Sequence, residues 1–125
     1  MFGLFRKKSD PDEVRFPEIY VPLERRKLKN DKGTKKFRIE EYRYGSRCLA
    51  LKLYDKKNNQ EVFSYIVKNG PDYTYDRRDY GEKSGERIVY SISPDERHIS
   101  LTIINDDDNT TMNETFEIKT GNKLL

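Results

Sequence analysis

The chain has 125 residues, of which 38% are charged and 34% hydrophobic, and it carries a net charge of +3. This length suits one domain, while nine tyrosines, six phenylalanines and the small net charge argue against a disordered chain. One cysteine and one histidine exclude a disulfide framework and most cysteine- or histidine-based metal sites. No stretch approaches the roughly 18 apolar residues of a membrane-spanning helix. We therefore predict no cofactor, no metal site and no membrane span.

The N-terminal part of the chain is predicted to be extended. Three prolines fix φ and remove backbone donors there: Pro11, Pro17 and Pro22. We expect a flexible or docked tail over 1–13, an extended basic arm over 14–35 and an antiparallel β domain over 36–125. The apolar side chains of 16–21 are expected to pack across that domain or to bind a partner, and 23–30 is compatible with one or two helical turns. The first residues lack the order of a signal peptide, which indicates a cytoplasmic protein.

From residue 36 onward, apolar side chains recur at every second position, which is the period of half-buried strands. The alternating positions are Phe37 and Ile39; Leu49, Leu51 and Leu53; Phe63, Tyr65 and Val67; Ile88, Tyr90 and Ile92; Ile99, Leu101 and Ile103; and Phe116 and Ile118. Turn-forming clusters separate them at 45–46, 55–59, 69–72, 81–85, 93–96 and 105–109. Short connections favour antiparallel pairing of consecutive strands. We predict an all-β fold, an antiparallel meander of six or seven strands forming a small barrel or a sandwich.

The first hairpin has two plausible registers. With a two-residue loop at 45–46, Tyr42 lies opposite Leu49. With a three-residue loop at 43–45, Ile39 lies opposite Leu49, and two apolar side chains share one face. Because a shift of one residue exchanges the two faces of a strand, the better apolar match favours the three-residue loop.

No catalytic constellation stands out in the sequence. Cys48 lies within an apolar strand, where a thiol usually behaves as a small hydrophobic group. The acidic turn at 106–109 lacks the glycine that an EF-hand loop needs, so we interpret it as a solvated hairpin loop. We expect a non-catalytic protein. An enzyme would need a deep cleft lined by acidic or phenolic side chains. The candidates for such a lining are Asp76, Asp79, Glu82 and Tyr75.

Charge and aromatic residues give the best functional signal. Residues 1–60 hold 17 Lys and Arg against 9 Asp and Glu, and residues 61–125 hold 8 against 13. Tyrosines and arginines cluster in the chain, and we predict as partner-binding residues Tyr42, Tyr44, Arg43, Arg47, Tyr73, Tyr75, Arg77, Arg78 and Tyr80. The basic arm is defined by Arg25, Arg26, Lys27, Lys29, Lys32, Lys35 and Lys36. Both observations also have a simpler interpretation. The charge asymmetry is compatible with attraction between the two halves of the chain, and the tyrosines are compatible with the strand propensity of this residue.

Tyrosine and arginine are enriched in protein interfaces. The first functional hypothesis is therefore a small binding module that occupies a partner protein or a small anionic ligand, as inhibitors, immunity proteins and phage counter-defence proteins do. The alternative is a β-barrel that binds single-stranded nucleic acid by tyrosine stacking and through the basic arm. Association into a homo-oligomer is a further expectation, because small cores often gain stability that way.

Overall fold

The computed structural model describes residues 13, 14, 16, 19, 23–28, 34–70 and 85–124. The regular structure of these residues is entirely β: β1 (Glu13–Val14), β2 (Leu23–Leu28), β3 (Phe37–Tyr44), β4 (Arg47–Asp55), β5 (Glu61–Ile66), β6 (Glu86–Ile92), β7 (His98–Asn105) and β8 (Thr110–Glu117). They form two antiparallel sheets, β1-β2-β3-β4-β5 and β6-β7-β8. The predicted all-β meander is confirmed, with the two sheets arranged as a sandwich and not as a closed barrel. None of the described residues belongs to a helix long and apolar enough to cross a membrane.

The segment Leu23–Leu28 is a strand, so the helical turns that the sequence allowed there are wrong. β2 pairs along β3, with Arg26 opposite Glu41 and Lys27 opposite Glu40. The Arg26–Glu41 pair places opposite charges on neighbouring strands, which stabilises a sheet, whereas a helix of this length is marginal in water. This part of the basic arm is therefore part of the first sheet.

The β3–β4 hairpin uses the two-residue loop at 45–46, so the predicted three-residue loop is wrong. Gly45 has a φ of 63° at the first loop position, where a type II′ turn requires a positive φ. Next to the loop, Arg43 pairs with Cys48, but Tyr42 pairs with Ala50. Leu49 is thus an extra residue, a β-bulge that shifts the register by one. The bulge allows a tight turn and still places apolar side chains of both strands on one face.

The core lies between the two sheets. In the first sheet, Ile39 is paired with Leu53 after the bulge, and both are 0–1% exposed. In the second sheet, Leu101 pairs with Tyr90 on the face turned towards the first sheet. The rings of Phe63 and Phe116 join the sheets at a centroid distance of 5.4 Å. The period-two pattern therefore directs the apolar side chains of both sheets into one core.

Two described residues of the N-terminal part of the chain, Phe16 and Ile19, pack against the domain. The ring of Phe16 lies 5.2 Å from that of Tyr42, and Ile19 is 5% exposed. The backbone of Gly70 approaches Ile19 closely, since a Cβ on this glycine would lie 3.2 Å from its side chain. As expected from their apolar character, Phe16 and Ile19 pack across the domain. Their packing explains why Tyr42 is buried although it faces away from the second sheet.

Candidate functional site

Two neighbouring carboxylates of β3 are buried on opposite faces of the first sheet. Glu40 is 4% exposed and Glu41 is 5% exposed. On the side of the second sheet, Nη1 of Arg43 donates to Oε1 of Glu41 at 2.5 Å, and the hydroxyl of Tyr90 donates to Oε2 at 2.5 Å. Both oxygens of Glu41 thus have a donor, as a buried carboxylate requires.

On the other face, Glu40 accepts hydrogen bonds from the Tyr42 hydroxyl at 2.7 Å and from Nη1 of Arg38 at 2.6 Å. Burial raises the pKa of Glu40. The hydrogen bonds from Tyr42 and Arg38, together with the positive charges of Arg38 and Arg25, outweigh burial, so its pKa is lowered overall. The carboxylate is therefore ionised at neutral pH and holds Tyr42 in place.

A charged cluster joins the β3–β4 hairpin to the second sheet. Nη2 of Arg47 lies 3.0 Å from Oδ2 of Asp106 and donates to the carbonyl of Gly85 at 3.1 Å. Nε of Arg87 donates to the same Asp106 oxygen at 2.9 Å. Arg47 is 8% exposed, and burial lowers its pKa even though Asp106 acts in the opposite direction. The cluster fixes the hairpin end relative to the start of β6, and it links the basic half of the chain to the acidic half.

A groove of about 210 Å³ lies between the hairpin end and β6. Its walls are formed by Glu41, Arg43, Ser46, Cys48, Arg87, Ile88, Val89 and Tyr90. Four of these residues are consecutive in β6, and consecutive strand residues point to opposite faces. The groove therefore runs along the edge of β6 and not over one face of its sheet.

The hydrogen-bond pattern shows which backbone groups of β6 face this edge. The N–H of Ser93 donates to His98, and the N–H of Asp106 donates to Gly85. The main-chain N–H and carbonyl groups of odd-numbered residues in β6 therefore bond to β7. Those of even-numbered residues point away from β7, towards the outer edge. The N–H of Glu86 points outward and donates to Asn69 at 2.7 Å. Among the described residues, the outward N–H groups of Ile88 and Ile92 have no hydrogen-bond partner.

Three titratable groups of the two sheets have raised pKa values that keep them in their neutral forms. Burial is the main reason why the pKa of the Cys48 thiol is raised to about 12, so this thiol is protonated at neutral pH and is a poor nucleophile. Burial, then the hydrogen bond to Glu41, raises the pKa of Tyr90 well above its ordinary value. Burial and the charges of Glu114 and Glu86 raise the pKa of Tyr65 to about 12.

Alkaline titration is expected to unfold the protein as these tyrosines ionise. A phenol whose pKa is higher in the folded than in the unfolded chain contributes stability that is present below about pH 10, the unfolded pKa, and lost as pH rises further. For Tyr65 that loss extends up to about pH 12. Tyrosinate absorbance and circular dichroism, recorded together, should show part of the ionisation coinciding with loss of strand signal. Ionisation of all nine tyrosines near pH 10 with the fold intact would contradict this prediction.

Four of the predicted partner-binding residues are described by the structure. Tyr42 is 2% exposed and Arg47 is 8% exposed, so these two serve the fold and are not available at the surface. Tyr44 is partly buried against the core, whereas Arg43 lines the groove. The other predicted residues lie outside the described part of the chain and stay predictions: Tyr73, Tyr75, Arg77, Arg78 and Tyr80.

The basic arm is only partly described. Arg25 is partly buried opposite Tyr42, and Arg26 is exposed. Lys35 and Lys36 are exposed, and their backbone N–H groups donate to the Glu96 carboxylate at 2.8–3.1 Å. Lys27 lies in β2, and Lys29 and Lys32 fall outside the described residues. The described cations therefore do not form one continuous stripe along the strand.

The sequence did not predict most of the groove. Its missed members are Glu41, Ser46, Cys48, Arg87, Ile88, Val89 and Tyr90. One signal was present: Val89 is an apolar residue at a position where the alternation requires a polar one, and it is 51% exposed. Its exposure places an apolar side chain next to Arg87 in the lining of the groove.

Within the residues that the structure describes, no group of three or more His, Cys, Asp or Glu side chains is placed to hold a metal ion. Comparison of the chain with protein-family models, with curated proteins and with solved structures finds no match. A functional assignment therefore depends on the geometry and chemistry of the groove.

Proposed function

We propose that this chain is a small, non-catalytic binding module that acts in the cytoplasm by occupying a partner protein, in the manner of an inhibitor, an immunity protein or a phage counter-defence protein. The observation that supports the proposal most directly is the groove beside β6, where arginine side chains and the exposed Val89 adjoin outward-facing backbone groups. Outward-facing main-chain groups of a strand are a template for pairing with another chain. The groove volume of about 210 Å³ is below the roughly 300 Å³ at which small-molecule sites begin, which favours a protein over a small anionic ligand.

Co-purification with matched variants tests this function. Wild-type protein is expected to retain a stoichiometric partner from its own cytoplasm, and Val89→Glu in the groove or the pair Tyr75→Ala/Arg77→Glu should release it. Lys57→Glu is the control, because this exposed lysine lies in the turn between β4 and β5. Absence of any stoichiometric partner would overturn the proposal. Equal recovery of the partner with every variant would show that neither Val89 nor the pair Tyr75 and Arg77 contributes to binding.

Binding of single-stranded nucleic acid is the second candidate, and the exposed cations Arg26, Lys35 and Lys36 favour it. Base stacking needs accessible aromatic faces beside the cations, and of the predicted tyrosines that the structure describes, Tyr42 is buried and Tyr44 packs against the core. We expect labelled single-stranded DNA and RNA to show no salt-sensitive binding at micromolar protein. Affinity that falls steeply between low and moderate salt would reverse the order of the two functions.

A further inference from the structure

We propose that Asn69–Gly70 is a site of spontaneous covalent modification, where the asparagine deamidates when the start of β6 detaches from it, and that the resulting carboxylate keeps this junction open. Asn69 is the one asparagine of the chain that a glycine follows. Because glycine has no Cβ, the backbone nitrogen of Gly70 is the least hindered nucleophile that an asparagine side chain can meet. The sequence therefore supplies both reacting groups in adjacent residues.

The reaction needs water but no enzyme and no cofactor. The Gly70 nitrogen loses its proton to solvent base and attacks Cγ of Asn69, and the new C–N bond closes a five-membered succinimide ring. The bond from Cγ to Nδ2 breaks, and Nδ2 takes up a proton and leaves as ammonia. Water then opens the ring at either carbonyl and gives aspartate or isoaspartate. Water is consumed, ammonia is released, and no atom changes its oxidation state.

In the folded chain, Asn69 is held by the first residue of β6. The N–H of Glu86 donates to the carbonyl of Asn69 at 2.7 Å. In the opposite direction, the backbone N–H and Nδ2 of Asn69 each donate to the Glu86 carboxylate at 3.4 Å, and the N–H of Lys68 donates to it at 3.1 Å. Distances of 3.4 Å are long for hydrogen bonds, so the bond to the Asn69 carbonyl provides most of the restraint.

This arrangement opposes closure of the ring. A succinimide requires a ψ angle at the asparagine that lies outside the strand and helical regions, so the Asn69 carbonyl has to turn away from Glu86. Gly85 restrains the same carbonyl sterically, because a Cβ on Gly85 would lie only 2.7 Å from its oxygen. Deamidation therefore proceeds from a form in which the start of β6 has detached, and its rate reports the free energy of that local opening.

The product reverses the interaction with Glu86. Nδ2 of Asn69 is a donor that faces a carboxylate, whereas aspartate or isoaspartate places a second carboxylate there, and two neighbouring like charges disfavour each other. Isoaspartate also lengthens the main chain by one carbon, which displaces the carbonyl that Glu86 binds. Asn69 and Glu86 flank the stretch 71–84, which contains five of the predicted partner-binding residues. Deamidation thus makes a transient opening beside that stretch permanent.

The site is tested by mass spectrometry of the peptide that contains residue 69, after incubation in mildly alkaline buffer, with isoaspartate detected by enzymatic methylation. In urea, Asn69 should deamidate faster than Asn122, which is followed by lysine and is the internal reference. In the native protein, deamidation of Asn69 should be slower by about tenfold or more, because opening must come first. Reaction no faster than at Asn122 in urea, or equally fast in native and unfolded protein, would overturn the proposal.

Gly85→Ala tests whether the start of β6 controls the rate. It displaces this end of the strand and should bring native deamidation of Asn69 towards the rate in urea. The matched control is Gly121→Ala, whose Cβ meets nothing within 4 Å, brought by urea to the same free energy of unfolding as Gly85→Ala. Equal rates in the two variants at equal stability would mean that deamidation depends on global unfolding, and would overturn the control by β6.

Asn69→Asp and Asn69→Ala test the consequence of the modification. Both remove the Nδ2 donor, but only Asn69→Asp adds a charge beside Glu86. Hydrogen exchange of the Glu86 amide, which donates to the carbonyl of residue 69, should be faster in Asn69→Asp than in Asn69→Ala. Equal exchange in the two variants would show that the new carboxylate does not hold the junction open, and would overturn that part of the proposal.

Discussion

Gly85→Ala is expected to lower the free energy of unfolding by about 2–5 kcal/mol, the sum of a left-handed backbone penalty and an overpacking penalty. Gly85 has a φ of 83°, and a Cβ there would lie 2.7 Å from the Asn69 carbonyl oxygen and closer still to the Gly70 carbonyl. These obstacles are backbone atoms, which do not rotate away as a flexible side chain does. The start of β6 must shift, and with it the Gly85 carbonyl that Arg47 binds.

Gly121→Ala and Gly45→Ala are matched controls for this prediction. These glycines have φ values of 77° and 63°, but a Cβ at either position meets nothing within 4 Å. Each should cost only the left-handed penalty of about 1–2 kcal/mol. Urea denaturation of the three variants measures the difference. Equal destabilisation at all three positions would show that the close approach to Gly70 has no energetic consequence.

Asp106→Ala is the second substitution with a large expected effect, about 2–3 kcal/mol. Removing one member of a buried ion pair leaves an uncompensated charge, which typically costs about 3–5 kcal/mol. The Arg47 side chain is 9% exposed, but that of Asp106 is 25% exposed, so solvent screening reduces the cost below that range, to about 2–3 kcal/mol. Arg87 also loses its partner and repels Arg47, which adds to the effect.

The double variant Arg47→Met/Asp106→Ala separates charge from packing. Removing both charges in favour of an apolar side chain of similar length is often neutral, so this variant should be more stable than Asp106→Ala alone. Urea denaturation of wild type, both single variants and the double variant gives the coupling free energy of the pair. Additive losses would mean that Arg47 and Asp106 contribute independently.

The strands from β3 onward could be predicted because their apolar residues alternate and short turn clusters separate them. Alternation also distinguishes the inward Ile99, Leu101 and Ile103 from the outward positions of β7. β2 was missed because its sequence has no clear alternation. It becomes a strand only through pairing with β3, a contact that the local sequence does not contain.

The hairpin shows why register is harder to predict than strand position. Apolar matching favoured a three-residue loop because a continuous ladder was assumed. The chain keeps the tight turn at Gly45 and inserts Leu49 as a bulge. A bulge is a local irregularity that pairwise matching of residues does not reveal.

The candidate site was only partly predictable for a different reason. Tyr42 and Arg47 were predicted as interface residues because they are aromatic and basic. In the structure Tyr42 donates a hydrogen bond to Glu40 and Arg47 forms an ion pair with Asp106, and both side chains are buried. The groove arises where the hairpin end approaches β6 from the other sheet. Such proximity depends on the packing of distant segments, and only the misplaced apolar Val89 marked it in the sequence.

The coverage of β8 by the residues at 121–124 limits how copies of this chain assemble through the second sheet. Endless head-to-tail growth needs two complementary free edges on each molecule. Here the outer edge of β8 is half occupied by the chain itself, through Thr115 and Glu117. Growth of an assembly through both edges of this sheet is therefore hindered on the β8 side. Deleting 121–124 would expose the main-chain groups of Thr115 and Glu117, and we expect it to increase aggregation through the edge of β8.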